Sequence, residues 1–461
     1  MSEIKSLSSI SGGASLRLAT HVAQSRFEDL PPATLHAFKR ALLDHVTCAV
    51  AGSAMPVSRA LLSYYQETDA SRVATVVGTE ARLSAPNAAL VNGANTHGLD
   101  FDDGTTHGSA HPSGAIFPAV LAAAEQHKAS PREVVTAVVM GYDVMVRVAA
   151  AMHPVTAKRG FHNTALAGVF GAAAGTARLL KLDAAQTNHA LGLAGSFAGG
   201  IRQYLDDGAE VKRIHPGKAA RDGILCAEFA KRGITGPAKV LEGRYGFADT
   251  HAGGEMKWDR LFDGLGRRYE IDGIYFKPYP CCRHYHSAID GILSLRQEHA
   301  IKPQDVASLR LGLYSVGVNG HDHKHCDNLL DAQMSAPVGA ALAMVDGDVA
   351  APMFLPESLA RPAVRRLVDL AETRLDDECE RLYPKRRSGA VEIGLADGRK
   401  LSARVLDPKG EGENPMSDGD LARKFAANCA PILGGMKSEA LLDTIWHFEE
   451  KRDLSLLKLL A

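Results

Sequence analysis

The sequence predicts a mainly α protein with an α+β second domain: a large all-helical domain carrying a smaller α+β lid. Three observations lead there. From residue 14 to about 268 the chain is Ala- and Leu-rich, poor in β-branched residues, and apolar at helical spacing. After residue 269 short alternating segments appear, among them VASLRLGLYS at 306–315 and the pair 391–395 and 401–406, which flank Asp397-Gly398, a strong hairpin signal. From Asn414 the helical pattern returns. The expected division is therefore residues 1–268 and 408–461 in one helical domain, with 269–407 as the lid.

Residues 1–13 are Ser/Gly-rich and expected to fray. Residues 14–53 read as helix. Pro31-Pro32 starts a new one with Leu35, Phe38, Leu42 and Val46 on one stripe. VATVVG at 73–78 reads as a lone strand or an extended linker. Residues 85–93 and 115–126 are expected to be buried helices flanking the polar stretch 94–118. Ser130-Pro131 opens a helix to Met152 as cap and first position. A polar loop at 158–164 leads into the small-residue helix LAGVFGAAAGTARLLKL, and 183–198 is helical. The charged, glycine-punctuated stretch 196–216 reads as a loop, with helix resuming over 217–233. In the second region 270–275 is expected as a strand. KPYPCCRHYH is a Pro-broken turn before a helix from about His286, residues 331–346 are helical, and 362–370 form a short helix. In the tail Ser417 caps a helix and Asp420, three residues on, comes close to a capping box.

Composition narrows the function. Hydrophobic residues make up 46% and charged residues 23% of 461, with formal net charge −1, so neither nucleic acid nor an anionic membrane surface is an expected partner. Seven cysteines, an odd number without C-x-x-C, argue against a disulfide framework and a cysteine-ligated metal, and fit a reducing cytoplasm. No N-terminal apolar signal region is seen, and no charge-free apolar run reaches membrane length.

The stretch ANTHGLDFDDGTTHGSAHPSGAIFP concentrates Asp100, Asp102, Asp103, His97, His107 and His111 between two apolar helices. A self-satisfied loop, with Asp102 or Asp103 capping the next helix, accounts for any one of these. Six titratable groups within fifteen residues point instead to a functional site. His162, Lys212 with His215, and Arg283-His284-Tyr285-His286 interrupt other apolar helices in the same way. Taken singly, Lys212 and Arg213 read as a solvated face, Cys281-Cys282 as small buried hydrophobes, and His321-Asp322-His323-Lys324-His325 as an exposed loop. Together the clusters describe a cationic, His-rich pocket suited to a small polycarboxylate. Lys and Arg would hold carboxylates, and His or Asp would move a proton on an adjacent carbon.

Six ordered stretches then carry a resemblance: NGANTHGLDFDDGTTHGSAHPSGA, GFHNTALAGVFGAAA, DGAEVKRIHPGKAARDGI, KPYPCCRHYHSAIDGI, DAQMSAPVGAALAMVDG and GENPMSDGDLARKF. Through them the chain resembles the MmgE/PrpD family, which includes 2-methylcitrate dehydratase, cis-aconitate decarboxylase and iminodisuccinate epimerase. The resemblance implies a helical domain with an α+β lid, a homodimer, and catalysis without metal or organic cofactor. Carried over by position, the catalytic residues are Asp100, His111, His162, Lys212 and His286. His97, Asp103, Arg202, Arg283 and Tyr314 are expected to bind substrate, with Tyr314 or a neighbour in the tyrosine role the decarboxylases place in the strand after the His286 helix. The decarboxylases have a threonine directly after D-F-D-D, whereas Gly104 stands here. The expectation is thus dehydration of a 2-methylcitrate-like hydroxy tricarboxylate, with epimerase or decarboxylase chemistry on a related polycarboxylate as the alternative. Two readings of other classes compete: a divalent-metal enzyme using His97, Asp100, Asp103 and His111, and a non-catalytic helical scaffold. Metal analysis and binding of small acids separate them from the lyase.

Overall fold

The structure, a computed structural model, describes residues 13–461, so the expected fraying of the N-terminus lies, Gly13 apart, outside the described residues. Helices α1 (Gly13–Gln24), α2 (Pro32–Gly52), α3 (Pro56–Thr68), α4 (Ala85–His97), α5 (Ser113–His127), α6 (Pro131–Met152), α7 (Asn163–Leu179), α8 (Ala184–Phe197) and α9 (Val211–Lys231) build the first segment. Residues 73–78 contribute strand β1 (Ala74–Thr75), paired antiparallel with β2 (Arg82–Leu83). In α6, Ser130 and Glu133 form a reciprocal capping box. This helix is long and apolar enough to cross a membrane, yet it lies wholly inside the protein. Its charges Asp143 and Arg147 pair at 3.0 Å with neither side chain exposed.

Small residues decide how these helices meet. A Cβ on Gly217 would lie 2.0 Å from the Leu90 carbonyl, and one on Gly93 would lie 2.4 Å from Gly217 Cα. Only glycine lets α4 and α9 touch backbone to backbone there. The contact brings the C-terminal turn of α4 against the N-terminal turn of α9, and the site is built at that crossing.

The second region holds α10 (His286–Glu298), α11 (Leu329–Met334), α12 (Ala336–Asp346) and α13 (Pro362–Leu370) around one four-stranded sheet. Its strands β3 (Val306–Leu313), β4 (Ala371–Leu375), β5 (Gly389–Leu395) and β6 (Lys400–Val405) run in the order β4-β3-β5-β6. β3 and β4 are parallel, and the other two pairings are antiparallel. The turn between β5 and β6 uses Gly398 at φ +89°, as the Asp-Gly signal requires. The tail carries α14 (Asp418–Leu433) and α15 (Gly435–Trp446), with Ser417 and Asp420 in a complete capping box. Phe425, Cys429 and Leu441 of the tail share one buried apolar cluster with Phe38, Phe117 and Phe170, while Ile289, Leu309, Leu367 and Ile393 belong to a second.

Three local expectations are corrected. Residues 270–275 are not a strand: Glu270–Gly273 form a 3₁₀ turn, pinned by the Glu270 carboxylate on Arg260 at 2.7 and 2.8 Å and by the Glu270 N–H on Asp143. Of that segment Tyr275 makes a lone bridge to Gly104. Residues 331–346 divide at Ser335, whose hydroxyl caps α12. Finally, α9 starts at Val211, so Lys212 and His215 stand on its first turns rather than in a loop.

Candidate active site

The loop after α4 turns sharply at Asp100, whose φ of +51° is uncommon for a residue with a Cβ but tolerated by Asp. The turn delivers the carboxylate between two lysines. Asp100 Oδ1 accepts from Lys212 Nζ at 2.6 Å and lies 3.2 Å from Lys277 Nζ. Lys277 also donates to the Asp100 carbonyl at 2.8 Å. Burial by itself would raise the Asp100 pKa, but the two ammonium groups hold it well below the ordinary range. Burial lowers the Lys212 pKa, and Asp100 opposes that.

Lys212 Nζ makes a second contact, to His97 Nε2 at 3.0 Å. The other side of that ring faces Asp102, with Nδ1 2.9 and 3.0 Å from the carboxylate oxygens. An ammonium can only donate, so His97 is neutral with its proton on Nδ1. Burial and Lys212 drive its pKa well down, in agreement. Of the three ammonium hydrogens two are thereby committed, which leaves one for a substrate.

His111 is placed by the same loop. Its Nδ1 donates to the Asp103 carbonyl at 2.7 Å, so Nε2 keeps its lone pair. Burial, then the Lys277 charge, push its pKa down to about 3. His162, at the N-terminus of α7, shares a 2.9 Å Nδ1–Nδ1 contact with His215. Burial and that neighbour lower it well below the ordinary value, while His215 falls to about 4 mainly by burial.

Asp100, His111, His162, Lys212, Arg202 and Arg283 line one cavity, which brings together six of the ten residues expected from the sequence. The other four do not line it. His97 stands directly behind Lys212. Asp103 is fully buried, its carboxyl accepting the Ser113 N–H at the start of α5 at 3.0 Å and meeting Tyr142 Oη at 2.8 Å. It serves the helix end, as the capping alternative had it, although Pro112 rather than Asp103 occupies the N-cap position. Burial raises its pKa to about 8, so it is a neutral acid and not a substrate-binding carboxylate. His286 is wholly buried behind Arg283, accepting from its guanidinium at Nδ1 over 2.9 Å and donating from Nε2 to the Cys281 carbonyl at 3.2 Å. With both nitrogens used it positions Arg283 and is no acid or base. Tyr314 directly follows β3, with its hydroxyl 2.7 Å from His284 Nδ1 and its ring stacked on Tyr383, so it supports His284 rather than touching the cavity. Asp100 in turn holds lysines, and the carboxylate that orients an imidazole is Asp102.

The structure adds Lys277 and Arg387, which the sequence reading passes over, and brings in Cys282, His284 and His321, which it names only within their clusters. Lys277, Cys282, His284, His321 and Arg387 all line the cavity. His321 is buried, although its neighbour His325 is exposed as the loop reading expected. Lys277 sits in the KPYP turn with a side chain that is 0% exposed, and its only signal was a lysine in an otherwise aromatic and Pro-rich run. Arg387 is 3% exposed, and its Nε has no hydrogen-bond partner. Its nearest polar contact is the Ser109 hydroxyl at 3.4 Å, and among the described residues no carboxylate pairs with it. Five cationic side chains thus face the cavity against one lining carboxylate, Asp100. Glu411 neutralises part of Arg283 from behind at 3.2 Å.

The donor set also bears on the metal reading. His97, Asp102 and His111 are close enough to share an ion. Yet both nitrogens of His97 are engaged, one of them by the Lys212 ammonium, whose charge occupies the place a cation would take. Asp103 points away to Tyr142. The arrangement fits an anionic ligand better than a divalent metal. Gly104, where a threonine was expected of a decarboxylase, lies against Tyr275: a Cβ would sit 2.3 Å from the phenol oxygen.

Comparison with known proteins gives matches over nearly the whole chain. The model of the MmgE/PrpD N-terminal domain matches residues 16–259, and that of the C-terminal domain matches residues 279–450. The human cis-aconitate decarboxylase is 28% identical over 434 residues, 91% of this chain and 88% of its own length. A cis-aconitate decarboxylase-like protein of Aspergillus oryzae is 26% identical over 96% of both chains. The cis-aconitate decarboxylase of Aspergillus terreus is 26% identical over 94% of this chain and 93% of its own.

Proposed function

The chain belongs to the MmgE/PrpD family, and from that premise we propose that it is a cofactor-independent lyase that decarboxylates a small unsaturated tricarboxylate of the cis-aconitate type. The observation that carries the substrate class is Arg387. A buried guanidinium without an anionic partner is costly unless a ligand supplies the anion, and here it faces a cavity with four further cations. Similarity to named cis-aconitate decarboxylases over nearly the full length supports the carboxy-lyase over the 2-methylcitrate dehydration expected from the sequence.

In this reading Arg387 and Arg202 hold carboxylates, while Arg283, whose N–H groups are engaged by His286, Glu411 and the carbonyls of Pro408 and Lys409, adds positive charge to the wall. Lys212, fixed by Asp100 and His97, turns its third N–H to the charge that develops as the carbon–carbon bond breaks and CO₂ leaves. The electron pair shifts through the double bond, and the far carbon takes a proton. His111 Nε2 acquires that proton when the polyanion enters and opposes the burial that kept the imidazole neutral. Two observations favour dehydration as a second reading. Resting His111 already holds the bare lone pair that removes an α-proton, and Gly104 stands in the decarboxylase threonine's place.

The test is product analysis with cis-aconitate, 2-methylcitrate, citrate and iminodisuccinate. Release of CO₂ from cis-aconitate is the expected result. Loss of water from 2-methylcitrate with no CO₂ from any substrate would overturn the carboxy-lyase and leave the hydro-lyase. Activity should survive dialysis against a strong chelator, and loss that Mg²⁺, Mn²⁺ or Zn²⁺ restores would overturn the cofactor-independent reading.

A further inference from the structure

On the lid side of the cavity Cys282, His284 and His321 bring a sulfur and two imidazole nitrogens within 4.8 Å of one another. None of the three has a place in the chemistry above. Cys282 Sγ and His321 Nε2 are 3.7 Å apart. A tetrahedral ion with Zn–S of about 2.3 Å and Zn–N of about 2.0 Å sets that separation at about 3.6 Å. The imidazoles are also held as ligating histidines are held, each by its far nitrogen. His321 Nδ1 donates to the Met334 carbonyl at 2.8 Å, which aims Nε2 at the sulfur. His284 Nδ1 meets the Tyr314 hydroxyl at 2.7 Å, which leaves Nε2 for an ion. All three residues are buried yet line the cavity, so an ion would keep one position open toward it.

We propose that Cys282, His284 and His321 form a binding site for a thiophilic divalent cation, Zn²⁺ in class, and that occupation of this site inhibits the enzyme by closing the lid-side wall of the cavity. A thiolate with two neutral imidazoles is the donor set such an ion selects over Mg²⁺ or Ca²⁺. Binding displaces the thiol proton to solvent and leaves one net positive charge on the site. Arg387 and Arg202 lie near enough to act on His284 and weaken the site, so it is regulatory in strength rather than structural. The ion does no step of the reaction. The proposal stands on these side chains alone, whichever polycarboxylate proves to be the substrate.

Co²⁺ titrated into the full-length protein reads the site directly. One equivalent should give a thiolate-to-cobalt charge-transfer band with the strong visible bands of tetrahedral cobalt. The charge-transfer band should vanish in Cys282→Ser. Affinity should fall at least tenfold in His321→Gln, and a matching thermal melt shows that each variant is folded. Zn²⁺ should displace cobalt one for one. It should also inhibit wild type at concentrations at least tenfold below those needed for Cys282→Ser, each measured against its own zinc-free rate. Absence of a charge-transfer band overturns the proposal. So does a band that survives Cys282→Ser and is lost in Cys326→Ser, which places the ion at the partly exposed His323, Cys326 and Asp331 instead. Failure of the lyase reading would leave the cobalt spectrum unchanged.

Discussion

The two walls of the cavity are made differently. The helical wall takes Lys212 from the first turn of a 21-residue helix, His162 from the edge of another, and Asp100 and His111 from a loop clamped between two more. Its groups are wired to one another: Asp102 holds His97, His97 and Asp100 hold Lys212, and Lys277 closes the chain. The lid wall takes Cys282, Arg283 and His284 from a turn, His321 from a loop and Arg387 from the approach to β5. Its cations are less neutralised, and among the described residues no carboxylate pairs with Arg387. One wall is preorganised for a charge that appears only during reaction, and the other waits for charges the substrate brings. The first should govern kcat and the second KM.

Lys212→Met strikes the helical wall hardest. The stem volume stays, Asp100 retains Lys277, and the donor facing developing charge is lost. We expect kcat to fall about 100-fold or more, with a far smaller change in KM, since one such donor contributes about 3–4 kcal/mol. A near wild-type kcat would dissolve the distinction between the walls.

Arg387→Gln tests the other side. Loss of one buried carboxylate contact should raise KM by about tenfold to 100-fold, the lower range for a hydrogen-bonded charge pair, while kcat changes less. Should kcat fall and KM hold, Arg387 belongs to the reaction and not to binding.

Legibility follows the same division. The helical wall is readable because His and Asp among alanines break a strong period, so Asp100, His111 and His162, which line the cavity, stand out, as does His97, which lies behind Lys212. Lys212 was singled out, but its burial and its helix were not, since a charged first turn looks like a loop until its partners are known. Of the lid wall only the Arg283-His284 turn stands out in the sequence. Arg387 sits in KRRS and His321 in HDHKH, runs that read as surface because their company is polar. Their burial is set by other segments, Cys282, His284 and Met334 around His321 and Ser109 and Tyr275 around Arg387, which a period cannot report. His286 and Tyr314 were assigned by position within a resemblance, and the structure puts each one residue layer behind the cavity. The helix-hairpin layout was legible almost throughout, because capping boxes, Pro at helix starts and Asp-Gly turns are local signals.

The pH profile gives a smaller effect. His111 is pushed down to about 3, and Asp100 is held well below its usual range. In the decarboxylase reading His111 must be protonated to act, so kcat/KM should fall as pH rises from 5 to 7, whereas a change of less than about twofold would favour dehydration, in which neutral His111 is the base. Lys212 is lowered by burial, which places the alkaline limb below the ordinary lysine value. A limb near 6.5 would mean that neither His111 nor His162 is as buried as the structure has it.

Asp103→Asn should leave kcat and KM almost unchanged, and its interest lies in stability. The Asp103 carboxyl titrates at about 8 in the folded protein and near 3.8 when exposed. Between those values the unfolded chain has given up a proton that the folded chain keeps, so the folded state loses stability as pH rises from about 4 to 8 and loses no more above. Asparagine keeps the position neutral and its carbonyl accepts the Ser113 N–H, while the Tyr142 hydroxyl, which donates to the Asp103 carboxyl, must turn to accept from the new amide. The variant should therefore match wild type near pH 4 and melt higher than wild type at pH 7 to 8. A substrate-binding Asp103 predicts the reverse, a raised KM with no pH-dependent gain in melting temperature. Equal melting curves at both ends of that window, together with a KM raised tenfold, would move Asp103 back into the cavity and the helical wall's cation balance with it.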